Sequence, residues 1–244
     1  IYYSQNSKHK KYQRGISFNN TNYFEKHIIN YGIEIKENEV ESTDLIGNKK
    51  TTLNKALFIK ENWSFSQKLD FVFAVRYDDH EDYGSNLSPQ VAANYKLNNQ
   101  YTTYFSYAEA FKAPTFTDMY WASPFYVGNP DLEAEESDNY EIGLKFEKES
   151  YQGSLAYFER KVDNYIDSNY EDKVQGINTA KNLDGTSEIS GIELDLEKSL
   201  TKNLNSNLNY TYLDARDTNG ERISSNPYHN AKLRLAYSLT EKSK

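Results

Sequence analysis

The chain has 244 residues, a formal net charge of −8 and a pI near 5.2, and 37% of its residues are hydrophobic. The acidic balance without any basic stripe disfavours a nucleic-acid partner, and the absence of cysteine excludes a disulfide scaffold and a thiolate metal site. No apolar run approaches the roughly 18 residues of a membrane helix. The low mean hydropathy of −0.87 still allows a membrane β-barrel, because such a barrel carries its apolar face as every second residue.

Segments in which hydrophobic and polar residues alternate follow one another along the chain, which is typical of β-strands with one apolar face. The clearest segment, 67–78, places Phe71, Phe73 and Val75 on one face and Asp70 on the other. The predicted strands are 10–19, 25–40, 53–63, 67–78, 86–97, 100–111, 137–147, 151–166, 174–198, 203–214 and 227–239.

Two stretches depart from this regular alternation. The segment 174–198 is predicted to be one long strand with a bulge near Asp184-Gly185. The connection 112–136 is long and polar-aromatic, and its prolines and glycine are predicted to prevent any regular element there. A loop of this length is uncommon inside a compact domain and usually has a function.

The connections between the predicted strands fall into a short class and a longer, more charged class. The short ones are 20–24, 64–66, 98–99, about 150, and 199–202, and the long ones are 41–52, 79–85, 112–136, 167–173 and 215–226. The two classes alternate along the chain, as an up-and-down antiparallel meander requires. Short turns at one end and long loops at the other are typical of outer-membrane barrels, whereas a soluble sandwich has no reason to keep that asymmetry.

The two faces of the predicted strands differ in polarity. One face is aliphatic with aromatic residues towards its ends, as the interfacial girdles of a membrane barrel require. The other is polar, and its charged residues include Glu141, Lys145, Glu193, Asp195, Glu197, Lys232 and Arg234. In a membrane barrel the polar face would line the lumen, but in a soluble barrel or sandwich the apolar face would point inward. The alternation itself allows both arrangements.

Several motifs, taken in order, resemble the TonB-dependent outer-membrane receptors. They include FKAP at 111–114, NPDL at 129–132, EES at 135–137 and YEIG at 140–143, together with Tyr120. The stretches 76–98, 178–200 and 209–217 also resemble strands and loops of that family, so the similarity spans about 53–239. Each motif is unspecific when taken singly, and the ordered set carries the resemblance.

The resemblance implies an all-β fold, an antiparallel up-and-down meander that forms part of a 22-strand transmembrane β-barrel integral to the outer membrane. About 11–12 of those strands would lie in residues 1–244, as a partial barrel domain, and the family's plug domain and TonB box are expected outside it. The implied partners are membrane lipid, lipopolysaccharide and the TonB complex, the last through the N-terminal part that is expected outside the chain.

The function implied by the resemblance is active, TonB-coupled uptake of a scarce ligand such as a ferric siderophore or cobalamin. Within the family, the layout of 105–239 resembles the cobalamin receptors and the catecholate-siderophore receptors, and the sequence does not separate these two. Haem is a weaker candidate, because the family's haem receptors are expected to carry a histidine between the FKAP and NPDL motifs. No histidine lies between Ala113 and Pro130. Two other functions remain as alternatives, a passive outer-membrane porin and a soluble β-rich interaction module. An enzyme is not expected, since the sequence lacks the common nucleophile, phosphate-binding, dinucleotide-binding and zinc motifs.

Two groups of residues in the long loops are candidate binding sites. Aromatic residues crowd the loop 112–136, where they could form a platform for a flat ligand or, alternatively, pack against the barrel rim. These residues are Phe116, Tyr120, Trp121, Phe125 and Tyr126.

An acidic group in the loop 79–85 offers the oxygen ligands that Ca²⁺ prefers. It consists of Asp78, Asp79, Glu81 and Asp82, next to His80. Because the spacing is not that of an EF-hand, a solvated acidic loop is the favoured interpretation, and weak Ca²⁺ binding is the most that we expect. No other cofactor is predicted, and His9, His27 and His229 are scattered and suggest no shared metal.

Overall fold

The computed structural model of the chain describes residues 7–172, 176–223 and 226–239. It contains long strands, a few short ones and one short helix. These are β1 (His9–Tyr23), β2 (His27–Ser42), β3 (Lys49–Ser64), β4 (Leu69–His80), β5 (Gly84–Lys96), β6 (Tyr101–Lys112), α1 (Phe116–Tyr120), β7 (Ala122–Ser123), β8 (Tyr126–Val127), β9 (Glu135–Lys148), β10 (Tyr151–Asp163), β11 (Ile166–Asp172), β12 (Ile177–Asn182), β13 (Thr186–Thr201), β14 (Leu204–Arg216) and β15 (His229–Tyr237).

Eleven long strands form one antiparallel sheet, which we call the barrel sheet. Its order is β1-β2-β3-β4-β5-β6-β9-β10-β13-β14-β15, so each strand pairs with the strands before and after it in this series. The register places like faces together, for example Phe105 opposite Ile142 and Leu155 opposite Leu194. A slip of one residue would turn every apolar side chain to the polar side, so the alternating pattern specifies this pairing. The predicted all-β antiparallel meander is confirmed.

The apolar face of the barrel sheet is exposed. Ile16 is 80% exposed, Ile142 55% and Leu233 64%, and these side chains continue in rows across neighbouring strands. The buried hydrophobic residues of the described chain are few, and several of them are alanines such as Ala56 and Ala156. Leaving a large aliphatic side chain in water costs about 1.5–3 kcal/mol relative to burying it. So extensive an apolar surface marks a face that lipid or other protein covers, and within this chain the aliphatic rows do not meet one another in a dry core, as those of a sandwich would.

Aromatic residues gather on the apolar face at the end with the short turns. Trp63 contacts Phe65 at 5.0 Å and Phe71 at 5.8 Å between ring centroids, and His27 stacks on Trp63 at 5.7 Å. His27 Nδ1 also forms a hydrogen bond with the Glu61 carboxylate at 2.6 Å, so a charged polar group lies beside the aromatic rings. Rings with a polar handle suit the boundary between hydrocarbon and water. The arrangement matches the predicted aromatic girdle.

The opposite face carries polar side chains that bond across strands. The Tyr104 hydroxyl donates to Glu141, and the Lys145 ammonium lies 4.9 Å from the centre of the Tyr104 ring. Asn209 donates to Asp195 on the neighbouring strand. The other residues predicted for this face also lie on it, because they are an even number of positions from Asp195 or from the residue paired with Asn209. They are Glu193 and Glu197 on β13 and Lys232 and Arg234 on β15.

Glycines on the polar face lie beneath aromatic rings of the adjacent strand. A Cβ added at Gly143 would come within 2.5 Å of the Tyr104 ring, and one added at Gly32 would come within 2.6 Å of Phe58. Only a glycine allows the ring to lie flat against the sheet at these positions. The rings thereby cover backbone that would otherwise be bare.

The predicted single strand over 174–198 is wrong. β12 ends at Asn182, and β13 begins at Thr186 in a different sheet. Gly185 between them has φ of +97°, which an ordinary side chain rarely adopts and which ends the strand rather than bulging it. The predicted beginning at 174 lies outside the described residues. The predicted strand 151–166 also ends early, because Asn164 has φ of +55°.

The connection 112–136 was predicted to lack regular structure, and this is wrong as well. It contains α1, β7 and β8. Pro114 precedes the helix, where it breaks no hydrogen bond. Thr115 and Asp118 form a capping box, in which each side chain bonds the other residue's backbone N–H.

Long and short connections lie at opposite ends of the barrel sheet, as predicted. We call these the long-loop end and the short-turn end. The strict alternation in length fails at one connection, since β4 extends to His80 and β5 begins at Gly84, leaving only 81–83 between them. Gly84 has φ of +72°, which permits this tight turn. Among the described residues, no helix is long and apolar enough to cross a membrane.

Candidate functional site: the loop sheet at the long-loop end

Two long connections of the barrel sheet fold together into a second sheet. β7 and β8 come from the connection 113–134, and β11 and β12 come from the connection 164–185. Their order is β11-β12-β8-β7, and β12 pairs with β8 in parallel through Asn178 and Tyr126. We call these four strands, together with α1, the loop sheet.

The loop sheet also reaches the connection between β2 and β3, several strands away from β6. The Ile46 N–H donates to the Tyr120 carbonyl at 2.8 Å, and the Ala122 N–H donates to the Asp44 carbonyl at 2.8 Å. Leu45 forms an isolated antiparallel bridge with Trp121. Three connections of the long-loop end are therefore joined by backbone hydrogen bonds.

A small hydrophobic core lies within the loop sheet. Met119, Leu132, Ile166 and Ala180 are buried together, and three partly buried tyrosines pack against them. The tyrosines are Tyr83, Tyr120 and Tyr126. Here apolar residues face one another, in contrast to the barrel sheet, so this layer has the construction of a water-soluble domain.

Side-chain hydrogen bonds join the connections 113–134 and 164–185. Asn182 donates to the Glu133 carbonyl at 3.0 Å and accepts from the Glu133 N–H at 2.8 Å. Ser168 donates to Asp118 at 2.8 Å, and Asn129 donates to the Ala180 carbonyl at 3.1 Å. These side chains bond polar groups of the facing connection, including backbone groups that regular secondary structure leaves without a partner. They thereby hold the two connections in a single arrangement.

Ring contacts join the loop sheet to the rim of the barrel sheet. The Lys50 ammonium lies 4.0 Å from the centre of the Tyr120 ring, a cation–π geometry. Trp121 stacks on His9 at the start of β1, with ring centroids 5.5 Å apart and an interplanar angle of 19°. Burial raises the pKa of the Tyr120 hydroxyl above its usual value, and the Asp82 carboxylate raises it further. The phenol is therefore neutral across the physiological pH range.

The five aromatic residues predicted as a ligand platform have different surroundings. Phe125 is 80% exposed between β7 and β8. Phe116, Tyr120, Trp121 and Tyr126 are half-buried, with Tyr120 and Tyr126 against the small core and Trp121 against His9. They are close in the fold, but they do not form one open surface. A role in ligand binding stays a prediction for all five, and Phe125 is the one that presents a whole ring to solvent.

The four carboxylates predicted as a calcium site do not converge in the structure. Asp78 accepts hydrogen bonds from Arg76 at 2.7 and 2.9 Å, whereas the next residue, Asp79, belongs to the opposite face beside Lys55. Glu81 accepts from a backbone N–H of β3 at 3.0 Å, and Asp82 is exposed. No group of three or more His, Asp or Glu residues that could hold a metal occurs within the described part of the chain. Calcium binding stays a prediction.

Several residues that organise the loop sheet were not singled out from the sequence. The capping box of Thr115 and Asp118 has a sequence signature, because a Thr three residues before an acidic residue predicts a helix start. Asn129, Asn182 and Lys50 have no such signature. Their partners lie far along the chain, so only the folded structure brings them into contact.

The family model described as "TonB dependent receptor-like, beta-barrel" matches residues 3–242. The chain belongs to the TonB-dependent receptor family. This is an outer-membrane family of transporters, not of enzymes. Its barrel faces lipid with the apolar side of each strand, which agrees with the exposed aliphatic rows of the barrel sheet.

The chain is similar to transporters with different ligands. It is 34% identical over 166 residues to the vitamin B12 transporter BtuB of Photobacterium profundum, which covers 67% of this chain and 26% of that transporter. It is 27% identical over 215 residues to the ferric enterobactin receptor PirA of Pseudomonas aeruginosa, covering 77% of this chain and 28% of that receptor. The chain thus spans little more than a quarter of either relative.

The fold also matches a solved receptor. The crystal structure of the siderophore receptor PirA from Pseudomonas aeruginosa superposes with a TM-score of 0.77 at 24% identity. The match covers 96% of this chain and 44% of the PirA chain. At this identity the likeness shows the fold, and the chain spans less than half of the PirA chain.

Proposed function

We propose that the protein containing this chain takes up a scarce ligand, a ferric siderophore or cobalamin, across the outer membrane by TonB-coupled transport. The observation that carries the proposal is the pairing of a lipid-facing barrel sheet with a preformed loop sheet at its long-loop end. A rigid scaffold that presents loops held together by hydrogen bonds is a common construction for a binding site. In this family the long loops face the outside of the cell, where the ligand would be captured.

The polar face supports the same proposal. It carries tyrosine, amide and charged groups that bond across strands, such as Tyr104 with Glu141 and Gln152 with Glu197 at 2.9 Å. A polar wall of this kind suits a wet lumen or contact with a plug domain elsewhere in the same protein. Energy coupling to the TonB complex would belong to that other part of the protein.

The test is ligand accumulation by cells that express the complete receptor, with and without a functional TonB system. The cells lack their own receptors for the ligands tested, which are a radioactive ferric siderophore and labelled cobalamin. We expect accumulation of one of them to require both the receptor and TonB. Accumulation that is equal without TonB would instead favour a passive porin, and receptor-independent accumulation of both would refute the proposal.

A further inference from the structure

The loops at the long-loop end are poor in cationic residues. One of the two longest, 113–134, contains Asp118, Asp131 and Glu133 but neither lysine nor arginine. The connections 43–48 and 81–83 likewise contain carboxylates and no cation. Fixed charges of one sign around an entrance repel a ligand of the same sign and attract one of the opposite sign.

The cations within the described parts of the long connections already contact aromatic rings. Lys181 and Arg222 are the cationic residues within the described parts of the long connections. The Lys181 ammonium lies 4.9 Å from the centre of the Tyr170 ring, and the Arg222 guanidinium lies 3.7 Å from that of Tyr228. Each of these contacts would be given up if the cation turned towards an anionic ligand. At the adjoining strand ends, Lys50 lies over the Tyr120 ring, and Lys49 and Lys112 pair with glutamate carboxylates at 3.0 and 2.9 Å.

Several carboxylates next to the loop sheet are free to act on a ligand. Asp131, Glu133 and Asp184 are exposed, and their carboxylates have no hydrogen bond or ion pair with the described residues. Asp131 and Glu133 flank the buried Leu132, so the fold holds both near the core of the loop sheet.

We propose that the ligand captured at this surface is neutral or cationic, and not a ferric tricatecholate. This inference rests on the proposed function and narrows its ligand class. A ferric tricatecholate is a strong anion, because its three catecholate dianions outweigh one ferric ion. An anion of that kind is normally held by arginine and lysine donors, and the described loops offer only Lys181 and Arg222, each already placed over an aromatic ring. A neutral ligand such as cobalamin, or a neutral or cationic ferric hydroxamate, meets no such repulsion and can pack on exposed rings such as Phe125.

The experiment compares three probes on the purified full-length receptor at low and high ionic strength. The probes are cyanocobalamin, a ferric trihydroxamate and a ferric tricatecholate, with binding measured by equilibrium titration. We expect cyanocobalamin or the trihydroxamate to bind at least tenfold more tightly than the tricatecholate. Equal or tighter binding of the tricatecholate would overturn the inference, and so would failure of all three probes to bind.

A charge-neutralised variant separates electrostatics from contact. In Asp131→Asn/Glu133→Gln, we expect binding of the tricatecholate to strengthen on the order of tenfold at low salt, and the gain to fade at high salt as the charges are screened. Binding of the neutral probe should not change. The matched control, Glu25→Gln/Glu149→Gln, removes the same charge from exposed positions at the short-turn end and should change neither. An unchanged tricatecholate affinity in the first variant would overturn the inference.

The uptake assay keeps this inference distinguishable from the proposed function. Accumulation of the tricatecholate that requires TonB would overturn the charge inference while supporting active transport. Tight binding of cyanocobalamin to the purified receptor, together with uptake that does not require TonB, would support the charge inference and contradict active transport.

Discussion

The barrel sheet and the loop sheet use the same kinds of residue in opposite ways. In the barrel sheet, large aliphatic residues such as Ile142 and Leu233 are more than half exposed, and the polar residues bond one another. In the loop sheet, Met119, Leu132 and Ile166 are buried together, and charged residues face solvent. Two surrounding media account for the difference, since hydrocarbon covers the first surface and water covers the second. A single chain can therefore contain two folding patterns that meet at the rim.

The largest expected effect is that of a charge on the apolar face. Ile142→Arg should destabilise the bilayer-inserted receptor by about 2–4 kcal/mol, because a cation at mid-membrane depth is poorly solvated. The measurement is urea unfolding in lipid vesicles. The control is Thr102→Arg on the polar face of β6, for which we expect a small change. A large loss in both variants would show that the two faces do not differ in environment.

The next effect concerns the contact between Gly143 and the Tyr104 ring. Gly143→Val should cost about 1–3 kcal/mol by overpacking, since the added side chain occupies the place of the ring. Unfolding of Tyr104→Ala/Gly143→Val should be milder than the sum of the two single changes, because the collision is gone. Additive losses in this cycle would mean that the ring is not what excludes a side chain at Gly143.

A smaller and local effect is expected in the loop sheet. Asn182→Ala removes the bonds to Glu133 and the one to the Asn164 carbonyl at 2.8 Å, so it should lower the local stability of the loop sheet by about 1–2 kcal/mol. Hydrogen exchange should rise in both connections, 113–134 and 164–185, and not in the barrel strands. The control is Asn219→Ala at an exposed turn position. A rise confined to 164–185 would show that the two connections move separately.

The smallest expected effect on stability is that of the exposed ring. Phe125→Ala should leave unfolding unchanged, because the side chain is 80% exposed. If the ring contacts the ligand, the free energy of binding should become less favourable by about 1–2 kcal/mol. Ligand titration of the folded receptor provides the measurement. Unchanged affinity would remove Phe125 from the candidate site. Tyr120 is a less direct choice, since its loss would also disturb the small core.

The barrel sheet was largely predictable from the sequence, and the loop sheet was not. Alternation of apolar and polar residues depends only on local geometry, so segments such as 67–78 and 137–147 identified their strands to within a few residues. The loop sheet depends on distant partners instead. β12 and β13 are both extended, so their sequence looked like one strand, and only the positive φ of Gly185 and the bonds of Asn182 separate them.

The candidate site was predicted only in its location. Aromatic crowding pointed to the connection 112–136, where the loop sheet does lie. Which rings are covered depends on the contacts of Tyr120 with Lys50 and of Trp121 with His9, and the sequence separation of these pairs hides them from any local pattern. The acidic composition of 79–85 is typical of a loop, whereas in the fold β4 extends to His80 and the positive φ of Gly84 permits a turn of only three residues.

The parallel pairing of β8 with β12 sets an order of assembly. Asn178 meets Tyr126 only after the intervening β9 and β10 have brought the two segments to the same rim. Closing a loop of that length before those strands exist would cost entropy without any compensating contact. We therefore expect the loop sheet to form last, after the strands have entered the bilayer, so that a newly inserted receptor passes through a stage in which its outer loops are not yet joined to one another.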